Sequence, residues 1–188
     1  MGEKGKFMGK NILVAYSSKT GNTKKLAEGI LDGIKRMEDG VVDTADIIDI
    51  KDIKDISEID KYDTVIAGYW VDKGGANEEA AAFLKKITGK KVGIFATLAY
   101  WPDSEHGYNC VTAGEKLVKE NNHVIGKFVC QGKLDEKIEA MFDKLPEGNP
   151  HRTTPEKKKR YKISGNHPSA ADIASAAEMF CERIEADV

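Results

Sequence analysis

The sequence predicts an α/β fold built on a parallel sheet. Two observations predict it: short apolar runs typical of buried strands recur along the chain, and an amphipathic segment follows most of them. Alternating strands and helices are typical of a parallel sheet covered by helices on both faces. The length of 188 residues fits one domain, since about 150 residues per domain is the usual guide. We therefore expect a single domain over residues 1–188.

The elements follow from hydrophobic periodicity in chain order. The first strand, at 11–17, ends in small polar residues, and the helix after it, at 22–37, carries its apolar residues on one face. The remaining predicted strands are 44–50, 64–70, 91–97 and 123–131. The remaining predicted helices are 77–87, 108–121, 134–145 and 169–186, and 51–62 is charged and weakly helical.

Composition and charge exclude several classes of function. The net charge of −2 gives no overall field for nucleic acid or an anionic membrane. The three cysteines, Cys110, Cys130 and Cys181, show no metal-ligand spacing and are expected to be reduced. Residues 1–9 are interpreted as a leader without an apolar core, and no apolar stretch approaches membrane-spanning length. We expect a cytoplasmic protein without membrane insertion.

A candidate phosphate-binding loop lies between the first strand and the first helix. A strand followed by a turn and a helix start gathers backbone N–H groups and the positive end of the helix dipole at one point. Glycine lets a phosphate approach the backbone, and hydroxyl groups complete its shell. Neither the Walker pattern nor GxGxxG is present. The loop consists of Ser18, Lys19, Thr20, Gly21, Asn22 and Thr23.

The S-x-T-G-x-T arrangement of this loop resembles the phosphate fingerprint of the flavodoxin family, T/S-x-T-G-x-T after the first strand. The resemblance extends over roughly residues 10–133 and the final helix. It implies a flavodoxin-like three-layer sandwich with a five-stranded parallel sheet in the order 2-1-3-4-5. It also implies FMN at the carboxyl ends of the strands. The alternative is an ordinary Ser/Thr-rich turn that caps a helix.

The resemblance implies two further loops that hold the flavin ring. The first follows the third strand, and Trp70 is the natural stacking plate, although family members usually place the aromatic residue four positions after the strand-ending glycine, here at Asp72. Trp70 could instead cover the ribityl chain or pack in the core. The candidate residues of this loop are Trp70, Val71, Asp72, Lys73 and Gly74.

The second flavin loop follows the fourth strand. The resemblance implies that the backbone of Thr97 to Ala99 reaches the pyrimidine edge of the flavin, and that an aromatic residue supplies the second face. The alternative is a surface loop that packs on its own aromatic rings. No catalytic residue and no metal ligand is assigned. The candidate residues are Thr97, Leu98, Ala99, Tyr100, His106, Tyr108 and Asn109.

These features favour an FMN-binding electron carrier that supplies a partner reductase. The alternatives are an FMN-dependent NAD(P)H or quinone oxidoreductase and, more remotely, a binding module that has lost FMN. The 145–168 segment is read as an insertion, whose Arg152–Lys162 part carries a local charge of +5 on a chain otherwise at −7. It resembles an extension of flavodoxin-like proteins from anaerobic bacteria, some encoded beside tetrapyrrole (bilirubin-type) reductases. It is expected to dock an acidic partner, to cover the flavin, or to be a solvated turn.

Overall fold

Parallel strands form the central sheet of the computed structural model, which describes residues 9–186. The strands are β1 (Lys10–Tyr16), β2 (Val42–Asp49), β3 (Thr64–Asp72), β4 (Gly75–Ala76), β5 (Lys91–Leu98) and β6 (His123–Gln131). Their order is β2-β1-β3-β5-β6, all parallel, and the two-residue β4 pairs antiparallel with β3 off this path. The predicted five-strand order is confirmed, because β4 only extends β3 as a hairpin.

Helices connect the strands and cover both faces of the sheet. They are α1 (Asn22–Ile34), α2 (Glu78–Leu84), α3 (Glu105–Val118), α4 (Glu136–Asp143), α5 (Pro155–Ser164) and α6 (Ala170–Glu185). The weakly helical stretch at 51–62 contains part of one short 3₁₀ turn, at Ile50–Asp52, and all of a second, at Ile56–Ile59. Across residues 9–186, none of the helices combines the length and apolar character needed to cross a bilayer. The leader predicted at 1–9 lies, apart from Gly9, outside the described residues.

Two hydrophobic cores flank the sheet, one on each face. Successive side chains of a strand point to opposite faces, so Ile12 and Leu13 of β1 enter different cores. Leu13 packs in the core that includes α2 and α3 residues, whereas Ile12 packs with residues of α1 and α6. The α1–α6 contact is close: a Cβ at Gly33 would lie 2.7 Å from the Cβ of Ala177. This is the expected three-layer sandwich.

Two predicted loops are partly regular structure. Strand β3 continues to Asp72, and Lys73 (φ 48°) and Gly74 (φ 84°) form the two-residue turn that joins it to β4. Positive φ at both central residues is the geometry that suits a tight hairpin. The strand predicted at 64–70 was therefore two residues too short, because the favourable turn lets it extend to Asp72.

Helix α3 begins earlier than predicted, since Ser104 caps its amino end and accepts from the N–H of Gly107 at 3.1 Å. His106 therefore lies on a helix and not in a loop, whereas Tyr108 and Asn109 lie within the helix already predicted at 108–121.

The 145–168 segment contains helix α5, which the sequence analysis did not predict. Thr154 accepts a hydrogen bond from the N–H of Lys157 at 3.3 Å, and Pro155 stands in the first turn, where its missing N–H costs nothing. Tyr161 and Ser164 are buried. The helix shows little amphipathic pattern because most of its side chains are charged, so periodicity alone could not reveal it. The basic run is therefore not a turn but part of a helix, on which Lys158 and Lys159 are exposed to solvent.

Candidate functional site

The amino end of α1 is open at the carboxyl edge of the sheet. Its N-cap residue, Gly21, has φ 90° and offers no side chain to the first-turn N–H groups. The space where a Cβ would stand at Gly21 is free of other atoms within 4 Å. Among the described α-helices, α1 alone lacks an acidic residue in its first turn. The helix dipole and its free donors are therefore available to an external anion.

Hydrogen bonds within the loop hold its hydroxyl groups in place. The Oγ of Ser18 accepts from the N–H of Gly21 at 3.1 Å, and the Oγ1 of Thr20 accepts from the Nδ2 of Asn22 at 3.0 Å. Because both oxygens act as acceptors here, the O–H groups of Ser18 and Thr20 remain able to donate to a phosphate oxygen.

Thr23 has a different environment from the other loop residues. Its hydroxyl lies 2.9 Å from the hydroxyl of Thr97, and both side chains are buried. The structure therefore brings the first and second predicted loops together through this pair. Thr23 joins the start of α1 to the end of β5 instead of facing the open space at Gly21.

Trp70 stands at the centre of the site, on β3 and paired in register with Thr97 of β5. It is partly exposed, and the ammonium group of Lys19 lies 5.0 Å from the centroid of its ring. The alternative that Trp70 packs in the core does not hold, because this side chain is partly exposed and lines the cavity. The ammonium group of Lys19 thus places a positive charge in the candidate phosphate-binding loop and also makes a cation–π contact with the ring of Trp70.

A cavity of about 120 Å³ joins these loops at the ends of β3 and β5. It shares lining residues with two neighbouring cavities, of about 310 Å³ and 650 Å³, on either side of the candidate phosphate-binding loop. The predicted residues that line the central cavity are Lys19, Thr20, Asn22, Trp70, Val71, Thr97, Leu98 and Ala99.

Comparison with known proteins agrees with this geometry. Residues 13–181 match the protein family described as Flavodoxin domain. The chain belongs to the flavodoxin family. It is 32% identical over 175 residues to the flavodoxin-like domain-containing protein BilS of Clostridioides difficile (strain CD3), covering 92% of this chain and 94% of that protein. A BilS protein of Clostridium symbiosum (strain WAL-14163) is 23% identical over 182 residues, covering 92% and 95%.

A solved flavodoxin from the domain Archaea shares the fold. It superposes with a TM-score of 0.56 at 16% identity, and the match covers 94% of this chain and 97% of that one. Members of the flavodoxin family typically hold FMN. An open helix amino end, free O–H groups such as those of Ser18 and Thr20, and a partly exposed aromatic ring such as that of Trp70 are features that suit the phosphate and ring of such a cofactor.

Several predicted residues lie outside the central cavity. Asp72 lines the neighbouring 650 Å³ space instead. Tyr100 contacts the ring of His106 edge-on, with centroids 5.3 Å apart. Tyr108 is 56% exposed and lies beneath Lys127. Lys73 and Gly74 in the hairpin turn and Asn109 on α3 also stand apart from the lining.

The connection from β6 to α4 lines the cavity and was missed. Its backbone is tied to the phosphate loop, because the Nδ2 of Asn22 donates to the carbonyl of Lys133 at 2.8 Å. The parallel strand order alone could have predicted this contribution, since the carboxyl end of β6 lies beside that of β5. The missed residues are Gly132, Lys133, Leu134, Asp135 and Ile138.

A larger cavity, about 990 Å³, lies at the opposite edge of the sheet, near Asn11, Asp63 and Lys90. In a parallel α/β sheet the helix amino ends meet at the carboxyl edge of the strands, so this cavity lacks the anion-binding end that α1 provides. We therefore assign the candidate site to the carboxyl edge, despite the smaller volume there.

The thiols near the site are poor nucleophiles. The Sγ of Cys110 lies 3.5 Å from the Nε2 of His106, but burial raises the pKa of this thiol. Burial also raises the pKa of Cys130 strongly. Because the thiolate is the reactive form, both groups remain protonated and inert near neutral pH. Within residues 9–186, no cluster of metal-ligating side chains is present.

Proposed function

We propose that this flavodoxin-family protein binds FMN at the carboxyl edge of its sheet and passes electrons to a partner reductase. When bound, FMN exchanges one or two electrons, and the protein sets the potentials through stacking and local charge. The phosphate would lie at the amino end of α1, between the hydroxyl groups of Ser18 and Thr20. The ring would lie against Trp70 and the backbone of Thr97 to Ala99.

One observation supports this proposal above the others: α1 starts without a side-chain cap or a first-turn carboxylate, and Lys19, in the turn before it, contacts the partly exposed ring of Trp70. A phosphate and an aromatic ring system on one ligand would satisfy both features. FMN combines the two, and the absence of a GxGxxG pattern disfavours a dinucleotide.

The cofactor is tested by releasing the chromophore from the purified protein and measuring its mass. We expect FMN, and FAD as the tightly bound native ligand would refute the assignment. A Trp70→Leu variant should lose the stacking contribution of about 0.5–1.5 kcal/mol to FMN affinity, while Trp101→Leu is the matched control because Trp101 lies outside the cavity lining.

Carrier and enzyme roles differ in their response to nicotinamides. The chain carries no dinucleotide fingerprint to orient NAD(P)H. We therefore expect slow flavin bleaching when the FMN-loaded protein is mixed with NADH or NADPH in a stopped-flow instrument. Rapid bleaching with turnover on a quinone would instead support an FMN-dependent oxidoreductase.

The docking role of the basic segment rests on fewer charges than the sequence indicated. The guanidinium of Arg152 donates to the carbonyl of Leu145 at 2.9 Å, and the Nζ of Lys157 donates to the carbonyl of Pro150 at 2.6 Å. Lys158 lies 3.4 Å from the carboxylate of Asp143. Arg152 and Lys157 keep their charges but are turned toward backbone carbonyls of the segment, and Lys158 is partly neutralised by Asp143, so fewer cations are free to contact a partner.

Lys159 and Lys162 are exposed on α5 and remain the best candidates for docking an acidic partner. We expect the Lys159→Glu/Lys162→Glu variant to retain FMN and to slow electron transfer to a tetrapyrrole reductase as acceptor. Raised salt should mimic the change, because the Debye length shortens to about 8 Å at physiological ionic strength. Lys85→Glu/Lys86→Glu makes the same charge change at the far end of α2 and should have little effect. Equal rates in both variants would argue against docking through α5.

A further inference from the structure

The 145–168 segment contacts both loops that close the candidate cavity at the β5 and β6 ends. The Nε of Arg160, on α5, donates to the carbonyl of Ala99 at 3.3 Å. The carbonyl of His167 accepts from the N–H of Lys133 at 3.2 Å. Ala99 and Lys133 both line the cavity. The segment is thus joined to the site at two places, one on each loop.

Arg160 makes a second contact on the same loop. The carbon at the centre of its guanidinium lies 4.5 Å from the ring centroid of Tyr100 and 5.4 Å from that of Tyr161. A planar guanidinium can lie over an aromatic face while its N–H groups donate in its own plane, which a lysine ammonium cannot do. Arg160 therefore holds the backbone and the side chain of the β5–α3 connection together.

The helix that carries Arg160 is itself fixed. Thr154 caps it, and Tyr161 and Ser164 are buried beneath it. A side chain that projects from a packed helix holds its target more firmly than one that projects from a loop.

The hydrogen bond at Ala99 also fixes its neighbour. In a planar trans peptide the C=O of Ala99 and the N–H of Tyr100 point in opposite directions. Holding the carbonyl toward α5 therefore sets the direction of the following N–H group. The loop that follows β5 needs such a fixed peptide orientation if its backbone is to form hydrogen bonds with the polar edge of a flavin.

We propose that Arg160 is a positioning residue that holds the Ala99–Tyr100 peptide in the conformation used for binding FMN. The basic segment then supports the loops of the site, and Arg160 serves this purpose instead of contacting a partner protein. The part of this inference that concerns FMN rests on the proposed function, whereas the ordering of the loop does not.

Loop order is tested first on the full chain without flavin, by limited proteolysis with chymotrypsin. Tyr100 and Trp101 are 36% and 40% exposed, and Pro102 blocks cleavage after Trp101, so mass spectrometry should find a single cut after Tyr100. We expect Arg160→Gln to be cut about ten-fold faster, as the loss of a hydrogen bond from a charged group predicts. The urea midpoint should stay unchanged, because the effect is local.

Two further variants isolate the cause. Lys162→Gln, an equal loss of charge at an exposed site on the same helix, should be cut at the wild-type rate. Arg160→Lys keeps the charge but should be cut nearly as fast as Arg160→Gln. Unchanged cleavage in Arg160→Gln, equal effects in Lys162→Gln, or full rescue by Arg160→Lys would each overturn the positioning role.

Titration with FMN completes the test. We expect Arg160→Gln to bind FMN about ten-fold more weakly than the wild type, and Lys162→Gln to match the wild type. If the wild type does not bind FMN, the proposed function fails while the proteolysis result still decides the ordering of the loop. If Arg160→Gln frees the loop but binds FMN normally, the positioning role in binding is wrong and the proposed function stands.

Discussion

The buried hydroxyl pair between Thr23 and Thr97 predicts a structural role for these residues, whereas Thr20 of the same loop is proposed to bind the phosphate. The two oxygens are 2.9 Å apart, and the residues are 0% and 3% exposed. Thr20, three residues before Thr23, is exposed and keeps its O–H free for an anion. Replacement by valine removes each hydroxyl while keeping the shape of the side chain.

The expected magnitudes follow from burial. Thr23→Val or Thr97→Val leaves the other hydroxyl buried without its partner, which costs about 1–3 kcal/mol of unfolding free energy. The double variant leaves no unpaired group, so its cost should fall short of the sum of the single costs by at least 0.5 kcal/mol, the lower limit for residues in contact. Thr20→Val should stay within about 0.5 kcal/mol of the wild type.

Urea denaturation followed by circular dichroism, on protein without flavin, measures these values. FMN titration of the same variants should show the reverse order, with Thr20→Val weakened by about 1.5 kcal/mol through the loss of a charge-assisted hydrogen bond. Additive costs for Thr23→Val and Thr97→Val would refute the pairing. Normal FMN affinity in Thr20→Val would show that its hydroxyl does not contact the phosphate.

Three other predictions concern packing, pH and reactivity. Gly33→Ala should destabilise the protein by about 1–3 kcal/mol in urea denaturation because the new Cβ meets α6, whereas Gly126→Ala, whose Cβ would stand 3.6 Å from its nearest neighbour, should be close to neutral. Asp172 is partly desolvated, yet its hydrogen bonds to Ser169 and contact with His167 lower its carboxyl pKa. Its contribution should be present above the pKa of about 3.9 in the unfolded chain and lost as pH falls below it, so Asp172→Asn should flatten the acid limb of stability against pH. Cys130, whose pKa burial raises, should resist alkylation at pH 8 until the protein is unfolded in urea.

Much of the fold could be predicted because its signals are local. The apolar run of β1, the turn residues at Gly21 and the stripe of α1 each occupy a few consecutive positions. Strand order then followed from the flavodoxin-like loop. Helix α5 escaped prediction since its charged faces carry no periodic signal, and the early start of α3 escaped because the cap at Ser104 was overlooked.

The sequence by itself determined the α/β sandwich, the position of the candidate phosphate-binding loop and the two strand ends beside it. Tertiary structure alone decided which side chains contact distant parts of the chain. It paired Thr23 with Thr97, 74 positions apart, joined Asn22 to the backbone of Lys133 across 111, and set Arg160 on Ala99 across 61. Periodicity reports how a residue sits within its own element, whereas a hydrogen bond between distant elements depends on how the packed layers bring their ends together.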